Sequence, residues 1–301
     1  MKIPIIFLGT AQAIPTITRN HTSIFLKYKD ENILIDCGEG TQRQLRKAKI
    51  NPCKITKILI THWHGDHVLG LPGLFQTLAL NNYSKTLEIY GPKGTKKYIK
   101  EFTNIFIPVL KFKAEVYEVE GKFINTKDYE ITSLKLQHNN VPANGYQFIE
   151  KSKLRINKQK LKKLKLKQED KQKLSQLTQG RDIKIDNKII KSKDITYTQP
   201  EKKISFIFDT KICPNAKKLA DNSDLAIIES TYANEEEKLA KEYGHLTAEQ
   251  AAQIAKKGKV KQLILTHISQ RYEFNEKILE QQAKKIFKNT QIAKDFMKLE
   301  I

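Results

Sequence analysis

Three of the seven histidines in this 301-residue chain fall within Thr61-His62-Trp63-His64-Gly65-Asp66-His67. Imidazole nitrogens and carboxylate oxygens are preferred zinc ligands, and four such side chains in so short a run cannot all converge on one ion. Two adjacent metals are the natural reading, with His62 and His64 on one and Asp66 and His67 on the other. The plainer alternative, histidines that merely cap a strand, is disfavoured by the tight clustering of a rare residue. Three further residues stand where such a centre would draw them. His138 follows the apolar alternation Ile131–Leu136, and Asp209 follows Ile204–Phe208. His267 follows Gln262–Leu265, where Leu265-Thr266-His267 echoes Ile60-Thr61-His62. Singly, each would be an ordinary polar residue at a strand end. Their shared position, just past the C-terminal end of a strand, points to loops that converge at one sheet edge. A carboxylate such as Asp209 can bridge two metals, leaving an open position of the kind that makes a site catalytic.

The elements that must carry these residues follow from period-two and helical patterning. Expected strands are Ile3–Leu8, Ser23–Tyr28, Asn32–Ile35, Lys57–Ile60, Leu87–Tyr90, Val116–Val119, Ile131–Leu136, Tyr146–Ile149, Ile204–Phe208, Leu225–Ile228 and Gln262–Leu265. Expected helices are Thr41–Ala48, Leu71–Ala79, Thr95–Phe102, Ala248–Lys257 and Glu276–Phe287. Two α/β halves, residues 1–150 and 204–301, are separated by an interruption at 151–203. This suggests a single catalytic domain with a sheet-on-sheet core flanked by helices and an inserted segment.

Charge singles out the same segment. The chain carries a formal net charge of +21, and Lys151–Lys203 alone holds 18 Lys and Arg against 6 Asp and Glu. A local excess of this size points to a polyanionic partner, whereas a general taste for lysine would spread it evenly. Leucines at 161, 164, 166, 174 and 177 allow short amphipathic helices but no single stripe, with turns expected at Gly180-Arg181-Asp182 and Asp186-Asn187. Tyr197 is the one aromatic residue there, so the segment suits gripping a folded duplex by its backbone more than stacking single-stranded bases. No apolar run approaches the roughly 18 residues of a membrane span. The three scattered cysteines, Cys37, Cys53 and Cys213, are unlike a disulfide framework. A cytoplasmic protein with no membrane partner is expected.

The His-x-His-x-Asp-His loop with later His, Asp and His resembles the metallo-β-lactamase superfamily. Several stretches are similar to one family within it, ribonuclease Z, the tRNA 3′-processing endonucleases. They are Phe7 to Pro15, Asp36-Cys-Gly-Glu-Gly-Thr-Gln-Arg43, His64 to Gly73, Tyr90-Gly-Pro-Lys93, Gly244-His-Leu-Thr-Ala-Glu-Gln-Ala251 and Leu265 to Tyr272. The resemblance implies an α/β, metallo-β-lactamase-like αββα sandwich with an inserted basic exosite arm that grips tRNA. It implies two Zn²⁺ per subunit, one held by His62, His64 and His138 and the other by Asp66, His67 and His267, with Asp209 bridging. Ligand type alone leaves Mn²⁺ and Co²⁺ open. By the same resemblance Asp66 also deprotonates the attacking water, His245 serves the leaving group and Glu229 holds the His245 ring. The implied partners are precursor tRNA and a second copy of the chain, with no nucleotide cofactor. Two departures stand out: Pro15-Thr-Ile-Thr-Arg19 lacks the lysine often found in that loop, and the inserted segment lacks the family's Gly-Pro pair. A metallo-hydrolase of small molecules would share the metal loop but leave the basic segment and the Asp36–Arg43 run unexplained. A non-catalytic RNA-binding relative would have little reason to keep both Asp66 and His245.

Overall fold

The computed structural model describes residues 2–107, 110–164, 169–185 and 188–301. They form two seven-stranded and two two-stranded sheets. Edge to edge, the first large sheet runs Lys298–Glu300, Pro4–Gly9, Ser23–Tyr28, Glu31–Ile35, Lys57–Leu59, Leu87–Gly91 and Ala114–Glu118. The second runs Thr290–Ile292, Gln262–Thr266, Leu225–Glu229, Lys202–Ile207, Val141–Glu150, Tyr129–His138 and Gly121–Asn125.

Each large sheet contains a parallel block. In the first, Glu31–Ile35, Lys57–Leu59, Leu87–Gly91 and Ala114–Glu118 pair in parallel; in the second, Lys202–Ile207, Leu225–Glu229, Gln262–Thr266 and Thr290–Ile292 do. Parallel strands are covered on both faces, which is why Leu225-Ala-Ile-Ile228 is apolar without alternation and wholly buried. Leu26, Ile33, Ile35 and Leu59 of the first sheet face Ile131, Tyr146, Phe148 and Phe206 of the second. The Tyr146 hydroxyl donates across this layer to the Ile60 carbonyl at 2.6 Å. Helices lie outside. Leu71–Leu80 buries Leu71, Leu74, Phe75 and Leu78 in the first half's core. Ala248–Lys257 buries alanines and Ile254 in the second half's core, and its start is fixed by a reciprocal cap between Thr247 and Gln250.

The helix expected at Ala248–Lys257 and the strand expected at Ser23–Tyr28 have those bounds in the structure, and most other expected elements shift by one or two residues. The helix Thr95–Phe106 runs four residues further than its expected end, and Tyr129–His138 and Val141–Glu150 extend well past the apolar patches that signalled them. Patterning missed Gly121–Asn125, Thr290–Ile292, Lys298–Glu300 and the helices Pro214–Ala220 and Glu237–Tyr243. These are short, and what holds them is pairing with or packing on distant chain, which local pattern does not record.

Residues through Asn125, Ile131–Phe148 and Lys203–Ile301 make one compact unit; Thr126–Glu130 and Ile149–Lys202 make another. Within the second unit, Lys153 pairs with Asp128 at 3.0 Å and the Lys151 amide donates to the Asp128 carbonyl at 2.9 Å. Its centre is a small apolar cluster of Leu177, Ile183, Ile185, Ile190 and Ile195, with Leu161, Leu164 and Leu174 packed against it. Two antiparallel strand pairs, Lys153–Ile156 with Thr196–Gln199 and Ile183–Ile185 with Lys188–Ile190, accompany the short helices Lys158–Lys163 and Leu174–Leu177. The leucine pattern pointed to the helices but not to the strand pairs. Leu166 and the Asp186-Asn187 turn lie outside the described residues. Among the described residues no helix is long and apolar enough to cross a membrane, and Cys37, Cys53 and Cys213 are free thiols.

Candidate metal centre and active site

All nine site residues singled out in the sequence come together at the C-terminal ends of strands. His62 and His64 follow Lys57–Leu59, Asp209 follows Lys202–Ile207, and His267 follows Gln262–Thr266. His138 and Glu229 are themselves the last residues of their strands, while Asp66 and His67 sit on the helical turn Gly65–Val68. His245 follows the helix Glu237–Tyr243. This is the edge at which open α/β sheets hold ligands.

Two groups of metal-competent atoms hold the seven expected ligands, joined by Asp209, and a third, Asp209 with His245 and His267, overlaps them. In one, His64 Nδ1 and His138 Nε2 are 3.2 Å apart and His62 Nε2 is 3.5 Å from Asp209 Oδ2. In the other, His67 Nε2 and His267 Nε2 are 3.2 Å apart, and each is 3.3 Å from Asp66 Oδ2. The second Asp209 oxygen, Oδ1, faces this group at 3.4 Å from His67 and 3.2 Å from His267. A tetrahedral zinc with bonds of about 2.0–2.1 Å sets its ligand atoms about 3.3 Å apart, so the spacing fits two ions sharing one carboxylate.

The hydrogen bonds behind these atoms strengthen the fit. Asp36, wholly buried, accepts from His67 Nδ1, from the Thr61 hydroxyl and from the Thr61 amide, each at 2.7 Å. The same Thr61 oxygen then accepts from His62 Nδ1 at 3.2 Å. His138 Nδ1 donates to the Gly244 carbonyl at 2.9 Å. The Thr231 hydroxyl donates to Glu229 Oε2 at 2.6 Å and accepts from His267 Nδ1 at 3.0 Å. With its outer nitrogen engaged, each of these four rings turns its other nitrogen inward as a ligand, the arrangement metal-binding histidines need. His62 Nε2 and Asp209 Oδ1 are buried and make no hydrogen bond at all, a cost that a cation in each group would offset. Burial holds the His62 imidazole well below its ordinary pKa and so in its neutral, ligating form. Burial opposes charge on His67 too, yet the carboxylates of Asp66, Asp209 and Asp36 overcome it and raise the ring's proton affinity. The field of the pocket therefore favours a cation.

Asp36, Asp209 and His267 have φ of 56°, 29° and 59°. Left-handed backbone costs a side-chain-bearing residue roughly 1–2 kcal/mol, and here it falls on two candidate ligands, Asp209 and His267, and on the carboxylate that accepts from His67. Sequence reading assigned no role to Asp36, Thr61 or Thr231. A signal for Asp36 existed, since it too stands just past a strand's C-terminal end.

His245 Nδ1 donates to Glu229 Oε1 at 3.2 Å and lies 3.9 Å from Asp209 Oδ2. Burial works against its charged form, but the Glu229 carboxylate outweighs that and pushes the imidazole up to about 9. Burial likewise works against ionised Glu229, and the His245 charge brings its carboxyl below the usual value. A cleft of 410 Å³ opens over the site; Gln12, Ile14, His64, Tyr243, His245 and Arg271 are among its walls. The arrangement can hold two cations, a nucleophilic water and a proton donor around one reacting group.

The family model described as "Beta-lactamase superfamily domain" matches residues 193–268, and that described as "Anti-Pycsar protein Apyc1" matches residues 3–103. The ribonuclease Z of Methanothermobacter thermautotrophicus is 40% identical over 98% of this chain and 95% of its own length. That of Bacillus velezensis is 39% identical over 99% of this chain and 98% of its own. Among solved structures, the short form of human tRNase Z aligns with a TM-score of 0.70 at 28% identity, covering 98% of each chain. The metallo-β-lactamase fold protein YhfI from Bacillus subtilis aligns at 0.71 with 18% identity, over 100% of this chain and 99% of that one, a likeness of fold alone.

Proposed function

The chain belongs to the ribonuclease Z family, and on that premise we propose how its residues remove the 3′ trailer from precursor tRNA. The observation that carries the reading is the convergence of seven candidate ligands in two groups bridged by Asp209, with the His245–Glu229 pair beside them.

We assign two Zn²⁺ per subunit, one to His62, His64 and His138, the other to Asp66, His67 and His267, with Asp209 shared. Such ions, when bound, lower the pKa of water from 15.7 towards about 7 and neutralise charge that develops on phosphoryl oxygens. Asp66 orients the attacking water and takes its proton. His245, protonated at neutral pH, faces the ribose 3′-oxygen that leaves and gives it a proton. Glu229 keeps that ring charged and fixes which nitrogen points to the substrate. Attack by water, not by a ribose 2′-hydroxyl, leaves a 3′-hydroxyl on the tRNA and a 5′-phosphate on the trailer.

The unit containing Ile149–Lys202 serves affinity. Lys158, Lys160, Lys162, Lys163, Lys184, Lys188, Lys191 and Lys193 are all exposed on it, suited to the phosphates of a folded RNA. The working form is a homodimer in the cytoplasm. A 3′-extended precursor tRNA, mature tRNA and bis(p-nitrophenyl) phosphate, each with and without chelator, test the reading together. One chelator-sensitive cut just past the acceptor stem is expected. Hydrolysis of the small diester beside an intact precursor would overturn the tRNA reading in favour of a small-molecule hydrolase.

A further inference from the structure

The cleft over the metal centre is lined by chemically different segments: Ser269, Gln270 and Arg271 on one, Ile14 on the neighbouring loop, and an apolar wall of Leu239 and Tyr243 on the helix Glu237–Tyr243. Ile14 is 53% exposed and Tyr243 is 51% exposed, so two large apolar side chains stand open to solvent beside a highly polar site. Neither belongs to the metal cage, and neither is used in the chemistry above.

Both are held firmly. The Gln12 amide donates to the Ile268 carbonyl, next to the ligand His267, and the buried His21 ring contacts the Ala13 carbonyl at 3.0 Å. The chain at Ile14 is thus tied to the metal loop on one side. Tyr243 is the last residue of its helix and is followed directly by Gly244 and His245. Gly244 takes φ +82°, its carbonyl accepts from His138 Nδ1, and a side chain there would meet that nitrogen at 3.0 Å. The backbone that carries Tyr243 is therefore tied to His138 on one side and runs directly into His245 on the other.

That connection gives the wall a polarity. His245 serves the leaving oxygen, and Tyr232 packs beside it with ring centroids 6.1 Å apart. The apolar wall accordingly lies on the leaving-group side of the reacting phosphate, where the nucleoside that keeps its 3′-hydroxyl must sit. We propose that Tyr243, with Leu239, is the docking surface for the unpaired nucleobase of the nucleotide whose 3′-oxygen leaves. A flat π-face against an exposed aromatic ring suits any base. It would place the sugar, and with it the leaving oxygen, under His245. The proposal rests on the RNA-cleaving reading above.

The test pairs a change in the protein with a change in the substrate. Tyr243→Ala and Tyr243→Phe are assayed on precursor tRNA that is intact, abasic at the last retained nucleotide, or abasic at the first trailer nucleotide, with bis(p-nitrophenyl) phosphate as a fourth substrate. Tyr243→Ala should lower kcat/KM on the intact substrate by roughly 10- to 100-fold, the range of a missing base–aromatic stack, while Tyr243→Phe stays near wild type. The loss should vanish on the substrate abasic at the retained nucleotide and persist on the one abasic in the trailer. An equal loss on both abasic substrates, dependence on the trailer base instead, no loss anywhere, or a matching loss on the small diester would each overturn the docking assignment. Wild-type cleavage of the intact precursor is read separately, so failure of the RNA-cleaving reading is distinguishable from failure of the base wall.

Discussion

The metal centre and the lysine-rich unit are built on opposite principles. At the metal centre most candidate ligands are buried and their rings are held by specific partners: His67 on Asp36, His267 on Thr231, His138 on a backbone carbonyl. The unit containing Ile149–Lys202 has, among its described residues, an apolar cluster of five buried aliphatic residues and displays its charge on exposed lysines. Chemistry at a phosphodiester needs groups placed to a fraction of an ångström, which requires over-determined side chains. Gripping a polyanion needs charge density and tolerates imprecise placement. Changes in the first region should therefore act on turnover and metal content, and changes in the second on KM and salt dependence.

The sharpest way to break that contrast is at His245, the proposed proton donor. His245→Ala should lower kcat on precursor tRNA by about 10²–10⁴-fold, with a much smaller effect on bis(p-nitrophenyl) phosphate, whose leaving group departs without a proton. An equal loss on both substrates would mean that His245 holds the site together rather than donating. Asp36→Ala should lower zinc affinity or activity by about 10- to 100-fold, measured as metal content after dialysis against a weak chelator. Full metal retention in that variant would remove Asp36 from the ligand-orienting role.

Deleting Lys153–Lys193 tests the other side. It should raise KM for precursor tRNA by about tenfold or more and flatten the logarithmic salt slope by roughly 0.9 for each phosphate the protein no longer neutralises. Cleavage of the small diester should be spared, and equal loss on both substrates would sink the division of labour. The smallest effect is expected from Glu229→Gln. Glu229 raises the His245 pKa, so the donor is lost as pH climbs through that raised value. Removing the carboxylate's charge lowers it, and the alkaline limb of the pH–rate profile should move to lower pH. An unmoved limb would disconnect Glu229 from the proton donor.

The legibility of the two regions in sequence also differs. The candidate ligands stood out because they are rare residue types placed just past apolar strands, and the same rule applied to Asp36 would have found the carboxylate that accepts from His67. Thr61 and Thr231 were not readable, since a threonine beside a histidine is common and only the three-dimensional partner shows its use. In the lysine-rich unit, charge was plain but architecture was not. The three-residue strands Ile183–Ile185 and Lys188–Ile190 are too short for alternation to register, and the pairing of Lys153–Ile156 with Thr196–Gln199 spans some forty residues of intervening chain.

The final strand, Lys298–Glu300, pairs antiparallel with Pro4–Ile6, and Ile301 exchanges backbone hydrogen bonds with Ile3. Pro4-Ile-Ile-Phe-Leu-Gly9 is almost entirely apolar, whereas the strand covering it presents exposed Lys298 and Glu300. Lys298–Glu300 thus covers the edge of an apolar strand with charged residues. Its loss would uncover a hydrophobic strand edge ready to recruit another chain, so deleting this strand should show first as aggregation, before any change in cleavage chemistry.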